Sequence, residues 1–272
     1  MACVLLPCYY QGMTTLTTRT LTRNSVLAFV LAGLAATTIH ELFHLIMTLA
    51  LGEKAVLFPD HVQIDDAVGT SHALLIAAVG PLGSLGSGLL LIRLTRDWGQ
   101  GFARLFWLWF GFLSAQIGFG YLLVSALVQT GDTGLVLSLL NAPWYVYVLV
   151  TAIGGVGSWY LLPRLFSDRV SVFARDKNSF FHIGMYPWLI GTGILLVIYV
   201  IIGQIMTPGK LELFGLMAVV TIGIFTPIAD FDAARATAHP DSLQLSMPVA
   251  GMVVTGVAAA IVLFVLTHGI SF

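Results

Sequence analysis

An HExxH motif at residues 40–44 places two histidines and a glutamate within about one helical turn. Side chains four residues apart lie one above the other on a helix, so the imidazoles of His40 and His44 can reach one metal ion. The carboxylate of Glu41 then lies where it can accept a proton from a metal-bound water molecule. The spacing predicts a hydrolytic site with Zn²⁺ as cofactor, His40 and His44 as ligands and Glu41 as catalytic base.

The motif lies in an apolar stretch, residues 25–51, that is nearly uncharged apart from the motif itself. A helix of about 20 apolar residues crosses the hydrocarbon core of a bilayer, and this stretch is longer. An ionisable side chain there costs about 3 kcal/mol or more unless it is paired or coordinated. Three such groups in one turn therefore indicate a functional site.

The whole chain has the composition of an integral membrane protein. Of its 272 residues, 58% are hydrophobic and 9% are charged, and the mean hydropathy is +0.93. Soluble domains carry about a quarter charged residues. The net charge of −1 gives no indication of nucleic-acid binding, so the lipid bilayer is the expected partner. Cys3 and Cys8 match neither a disulfide framework nor a zinc quartet.

The apolar segments predict an all-α fold, a polytopic transmembrane bundle of about seven helices. Of the 12 Lys and Arg residues, all but Lys54 and Lys210 flank the same ends of these segments. This bias predicts a multi-pass protein with a cytoplasmic N-terminus and an outside C-terminus. The predicted spans are residues 25–51, 71–94, 105–129, 143–163, 185–206, 212–229 and 248–268.

The expected organisation is one integral membrane domain in three parts. Residues 1–24 form an N-terminal tail, residues 25–142 a three-helix core, and residues 143–272 four further transmembrane helices. The loop 52–70 shows alternating apolar and polar residues around a Pro-Asp pair, which predicts a short β-hairpin after the first helix. Irregular backbone at membrane depth must be covered by protein, so this hairpin would roof the metal site.

A catalytic zinc site usually has three protein ligands and one open position, so a third ligand is expected. Asp132 is the only acidic residue between positions 105 and 140, and it lies at the outer end of the third predicted helix. The HExxH motif lies in the outer half of the first helix, at the same side of the membrane. Gly131 and Gly134 would let the helix break and turn the Asp132 carboxylate inward.

Other residues compete for the role of third ligand. Asp230 and Asp232 form an Asp-x-Asp pair, the kind of pair that binds metals, at the predicted cytoplasmic end of the sixth helix. His61, in the 52–70 loop, and His72, at the start of the second helix, lie on the same side as the motif. Residue types and spacing leave these alternatives open beside Asp132.

The second predicted helix is rich in small residues between Gly80 and Gly88. Small residues let helix backbones approach closely, which is how helices associate in lipid. Pro81 also frees a backbone carbonyl that a neighbouring group or water must satisfy. Such a helix would hold the first and third helices at a fixed spacing around an ion.

These motifs resemble the site-2 protease family of intramembrane zinc metalloproteases. Members of that family have HExxH on one core helix, a Gly-Pro-x-x-Asn turn on the next, and an aspartate, usually in Leu-Asp-Gly, on the third. Here HExxH, Gly80-Pro81 and Asp132 follow the same order over roughly residues 25–140. Ser84 stands where the family has asparagine, and the aspartate lies in Gly-Asp-Thr-Gly.

The resemblance implies that His40, His44 and Asp132 bind zinc and that Glu41 activates water in a metalloprotease-like core. The expected activity is hydrolysis of a peptide bond, within or beside the bilayer, in a membrane protein or peptide substrate. A helical substrate would have to unwind, and its extended segment would pair with the predicted hairpin as an added strand.

Two further functions fit the same residues. A zinc-dependent lipid amidase or hydrolase would apply the same water chemistry to a lipid bond. A metal-ion transporter or zinc-stabilised regulator is the non-enzymatic alternative, and a transporter needs ligands at several depths. The intact Glu41 favours turnover, because a purely structural site needs no base there. No pattern in the sequence identifies the substrate or the oligomeric state.

Overall fold

The computed structural model describes residues 18–64, 68–95, 98–171, 177–209, 213–224 and 248–272, together with Leu243 and Leu245. Within these ranges the chain forms eight helices and one small three-stranded sheet, which confirms the all-α helical bundle. Six of the helices are long and apolar enough to cross a membrane, so the chain is a multi-pass membrane protein.

Of the eight helices, six are long and two are short. The long helices are α1 (Thr18–Ala50), α2 (Thr70–Leu94), α3 (Gly101–Val128), α5 (Trp144–Val170), α6 (Asn178–Met206) and α8 (Val249–His268). The short helices are α4 (Gly131–Leu139) and α7 (Leu213–Gly223). The strands are β1 (Ala55–Leu57), β2 (Val62–Ile64) and β3 (Ile270–Ser271).

The long helices confirm six of the seven predicted spans. The remaining one, residues 212–229, coincides with α7, and residues 225–229 lie outside the described part of the chain. Helix α1 has 33 residues and begins at Thr18, so the predicted tail boundary at residue 24 falls inside it. At 1.5 Å per residue α1 is about 50 Å long, more than the thickness of the hydrocarbon core.

The predicted hairpin after the first helix is confirmed. Strands β1 and β2 pair antiparallel, with Val56 opposite Gln63. The sequence did not predict the third strand: β3, at the C-terminus, pairs antiparallel with the other edge of β1, and Ser271 lies opposite Val56. The sheet order is therefore β2-β1-β3.

This sheet constrains the topology of the bundle. The hairpin follows α1 and β3 follows α8, so the ends of these two helices lie on the same side. An even number of crossings must therefore separate them. Helices α2, α3, α5, α6 and α8 supply five if each crosses once. Between α6 and α8, the structure describes the short helix α7.

Helix α3 lies at the centre of the bundle, with 78% of its most apolar window buried. Its close packing on α2 depends on glycines, as the small-residue pattern predicts. A Cβ at Gly88 would lie 2.1 Å from the Ala115 backbone nitrogen, and a Cβ at Gly118 would lie 2.5 Å from the Leu85 Cβ. Dispersion contacts at this short separation hold helices together where lipid supplies no hydrophobic driving force.

Candidate metal centre

Three side chains from two distant parts of the chain meet in the hairpin-side half of the bundle. His40 and His44 lie on α1, and Asp132 lies in the first turn of α4. The Asp132 Oδ2 atom is 3.0 Å from His40 Nε2 and 3.2 Å from His44 Nε2. The two Nε2 atoms are 3.2 Å apart. The structure therefore brings together the three residues that the sequence predicts as ligands, and this group could bind a metal ion.

The separation of these three atoms fits the size of a metal site. Zinc in a tetrahedral site lies about 2.0–2.1 Å from nitrogen and oxygen ligands, which puts neighbouring ligand atoms about 3.3–3.4 Å apart. The observed triangle, with sides of 3.0, 3.2 and 3.2 Å, is only slightly smaller than one face of such a tetrahedron. A zinc ion held by these three atoms would leave one position of its tetrahedron for water or substrate, as catalytic sites require.

The other nitrogen of each histidine is held by an oxygen of α2. His44 Nδ1 donates a hydrogen bond to the carbonyl oxygen of Ile76 over 2.7 Å. His40 Nδ1 is 3.0 Å from Ser84 Oγ. A carbonyl only accepts, so His44 carries its proton on Nδ1, and in the neutral ring the Nε2 lone pair faces the cluster. Fixing Nδ1–H in this way is the usual arrangement for a metal-ligating histidine.

The surface of α2 is shaped to accept these rings. A Cβ at Gly80 would lie 2.1 Å from His44 Nε2, so only glycine leaves room for the ring at this position. Ser84 is one helical turn further on and therefore lies on the same face. Pro81 has no N–H group, so the carbonyl of Ala77 lacks its helical hydrogen-bond donor. The carbonyl next to it, that of Ile76, accepts the hydrogen bond from His44.

A break between α3 and α4 turns Asp132 toward the histidines. The break contains two residues with positive φ, Gln129 at 56° and Gly131 at 69°, as the flanking glycines predict. Ser125 holds it closed: its Oγ accepts a hydrogen bond from the Gly134 N–H and donates one to the Thr130 carbonyl. This places Asp132 in the first turn of α4, where the helix dipole favours a carboxylate.

The end of α3 contacts the cluster through a π-helical turn, Tyr121–Ser125. The Tyr121 ring stacks on the His40 ring, with centroids 4.7 Å apart and planes 23° apart. Single π-turns inside α-helices occur often at functional sites. This turn contains Tyr121, whose ring stacks on His40. It ends at Ser125, which forms the hydrogen bonds across the break before Asp132.

The burial of the site is uneven. The side chains of His40 and His44 are 2% and 7% exposed, whereas that of Asp132 is 23% exposed. Glu41 is also buried, and no hydrogen bond joins its carboxylate to another of the described residues. The cluster is therefore most accessible beside Asp132.

The competing ligands named from the sequence do not join this group. His61 Nδ1 is 3.0 Å from Asp60 Oδ1, and His72 Nδ1 is 2.8 Å from Glu53 Oε1. Asp230 and Asp232 lie outside the described residues. Among the described residues, this cluster is the only group of three or more His, Cys, Asp or Glu side chains with metal-binding geometry.

Sequence reasoning missed the residues that hold the cluster in place. In the sequence, Ser84 stands out only as a departure from the family pattern, although its spacing of four residues from Gly80 puts it on the face toward α1. Tyr121 and Ser125 carried no signal, because a π-turn shifts the helical register in a way that periodicity does not reveal.

Comparison of the chain with protein-family models, with curated proteins and with solved structures returned no match.

Proposed function

We propose that this chain is an intramembrane zinc metalloprotease that cleaves a peptide bond in or near a membrane segment by activating water. The observation that carries the proposal is the triangle of His40, His44 and Asp132 atoms, with both Nδ1 atoms held by α2. Three such atoms within 3.2 Å of one another in an apolar bundle need a proton or a metal ion between them. Two imidazoles and one carboxylate are a ligand set typical of catalytic zinc.

A zinc ion held by these three residues would polarise the scissile carbonyl and lower the pKa of a coordinated water molecule to near neutral. Glu41 would accept the proton of the attacking water and deliver it to the leaving amine, so that the base becomes the acid within one reaction. Ser84, Ile76 and Tyr121 would hold the histidine rings still during this exchange. The bundle would exclude bulk water.

The alternatives draw less support from the site. A transporter needs ligand groups at several depths, and the described ranges contain one such group. A zinc-dependent lipid amidase or hydrolase would use the same Glu41 chemistry. The three-stranded sheet on the same side as the cluster favours the peptide substrate, because a strand edge binds an extended peptide through its backbone.

The direct test compares Glu41→Gln with the wild type. Glutamine keeps the shape of the side chain but cannot accept the proton, so zinc content should stay at about one ion per chain while cleavage falls by about 10² or more. Purified protein is incubated with a set of single-span peptides and, separately, with ceramide-like lipids. Cleavage of lipids alone would replace the protease by the lipid hydrolase, and full activity of Glu41→Gln would exclude both.

We also propose that the N-terminus lies in the cytoplasm and that the hairpin, Asp132 and the C-terminus lie toward the outside. The support is the excess of Arg and Lys at one set of helix ends. In a chain without its two native cysteines, Thr70→Cys and Asn141→Cys should react with an impermeant thiol reagent added to intact cells. Gln100→Cys, at the other end of the bundle, should react only after lysis. The opposite labelling would invert the orientation.

A further inference from the structure

The C-terminal strand β3 pairs with β1 over a short length. The register places Leu57 opposite Ile270 and Val56 opposite Ser271. Beyond it, the Phe272 N–H donates to the Ala55 carbonyl over 2.9 Å, and the return bond is 3.5 Å long. Ile270 packs against the core of the bundle, whereas Ser271 and Phe272 are exposed. The last two residues therefore join β1 by backbone pairing, in the way a strand edge holds an added peptide.

The chain changes from a membrane helix to an extended strand just before β3. Helix α8 runs as far as His268, and after Gly269 the chain is extended. Gly269 passes close to the hairpin: a Cβ there would lie 2.7 Å from Val56 Cγ1 and 2.9 Å from Phe58 Cζ. A membrane segment that has unwound for cleavage would present the same backbone at the same place.

Strand β1 connects this edge with the candidate metal centre. It follows directly from α1, which carries the HExxH motif, and it leads into the turn that contains Asp60. The Asp60 side chain is fully buried. Strand β1 also contacts α1 itself, so its edge lies beside the helix that carries Glu41.

A cavity of about 430 Å³ lies beside this edge. Residues of the hairpin and of the C-terminus line it together: Lys54, Ala55, Val56, Gln63, Ile64 and Phe272. The space is large enough for side chains of an extended segment, and displacement of β3 would enlarge it on the β1 side.

We propose that the chain's own C-terminal strand β3 is an internal competitor for the edge of β1: it occupies the place where an extended substrate segment would pair, and it leaves this edge when the substrate binds. This inference rests on the proposed function for the identity of the ligand, a polypeptide unwound next to its membrane span. The C-terminal strand then acts as a competitor inside the same molecule. It lowers the apparent affinity for substrate by the fraction of time that it occupies β1.

The test locks β3 onto β1. Facing residues on antiparallel strands are close enough for a disulfide, so Val56→Cys with Ser271→Cys, in a chain with Cys3→Ser and Cys8→Ser, can be closed by oxidation. The probe is a synthetic peptide with a span of about 20 leucine and alanine residues, followed by a valine- and threonine-rich segment that carries a benzophenone. Photo-crosslinking is measured on zinc-loaded protein with Glu41→Gln, so that the peptide stays intact.

The oxidised lock should reduce crosslinking by about 10-fold or more, and reduction of the disulfide should restore it. The matched control is Ser271→Cys alone, which has no second cysteine to pair with in the same chain. Oxidation of this control should leave crosslinking at its level before oxidation. Deletion of residues 270–272 should raise crosslinking severalfold, and this variant decides the matter if the locked chain does not fold.

Equal crosslinking in the oxidised and reduced forms of the locked chain would overturn the inference, and so would unchanged crosslinking in the truncated chain. The free edge of β2 would then be the remaining strand edge for the peptide. Cleavage is measured separately in chains that keep Glu41. If the lock blocks binding but no variant cleaves the peptide, the proposed protease activity fails while the peptide site at β1 stands.

Discussion

The bundle buries polar side chains at both ends of α1, and the two groups are built in opposite ways. Toward the N-terminal end, Ser25 Oγ donates to the Ile183 carbonyl over 2.7 Å and accepts from Trp109 Nε1 over 2.9 Å. We call this group the inner cluster because it lies in the half of the bundle away from the sheet, and every group in it meets a partner of the complementary kind. In the group of His40, His44 and Asp132, which we call the outer cluster because it lies in the half toward the sheet, three atoms that can act as acceptors face one another.

The difference separates a structural polar group from a site that needs a ligand. A buried serine and an indole N–H that satisfy each other stabilise the contact between helices without further partners. Converging lone pairs in an apolar setting instead require a proton or a metal ion. Both histidines also have their second nitrogen fixed by α2. Burial alone would not distinguish the two clusters, because Ser25 and His40 are both nearly inaccessible.

The largest expected effect is loss of the metal from the outer cluster. His40→Ala or His44→Ala should reduce bound zinc from about one ion per chain to near background, because each removes one of three protein ligands. His72→Ala is the matched control, since His72 pairs with Glu53 on the same side of the bundle. Zinc is measured by atomic emission on purified protein. Unchanged zinc in the double mutant His40→Ala, His44→Ala would end the metal-site interpretation.

Asp132→Asn should have the next largest effect. Asparagine keeps the shape but supplies no negative charge, so zinc affinity should fall by at least about 10-fold. The measurement is a competition titration with a zinc chelator, and Glu53→Gln serves as a control carboxylate outside the cluster. Equal affinity in Asp132→Asn and the wild type would remove Asp132 from the ligand set and return attention to Asp230 and Asp232.

Gly80→Ala should reduce zinc binding without removing a ligand. The added methyl group would lie 2.1 Å from His44 Nε2, so the ring must leave its position. We expect zinc affinity to fall by about 10-fold or more, as for other changes that disturb the residues behind a ligand. Gly86→Ala adds the same group to the same helix where no atom lies within 4 Å, and zinc binding should be unchanged. Equal affinity in both variants would show that α2 does not shape the site.

Local periodicity made much of the outer cluster predictable. The HExxH spacing places two imidazoles on one face of α1 regardless of what packs there. The apolar spans depend only on composition, and six of them are confirmed. Asp132 could be singled out because it is the only acidic residue in a long apolar stretch.

The parts that sequence could not predict depend on contacts between distant residues. Ser125 and Tyr121 lie in a π-turn, and no rule of residue spacing predicts where a π-turn occurs. Strand β3 pairs with a strand near the other end of the chain, and two residues carry too little pattern to predict such a pairing. The inner cluster was missed for the same reason, since Ser25 reaches a carbonyl in the π-turn Phe181–Met185.

The smallest expected effect on the metal site comes from a change in the inner cluster. Ser25→Ala removes the hydroxyl that links Trp109 on α3 to the Ile183 carbonyl on α6, and it leaves a buried indole N–H without its acceptor. An unsatisfied buried donor costs about 1–3 kcal/mol, so the protein should unfold at a lower temperature in detergent. Zinc affinity and cleavage at 25 °C should match those of the wild type, because no atom of the outer cluster moves. If Ser25→Ala lost zinc as His44→Ala does, the two ends of α1 would form one coupled polar network, and the separation between a structural and a ligand-binding cluster would be wrong.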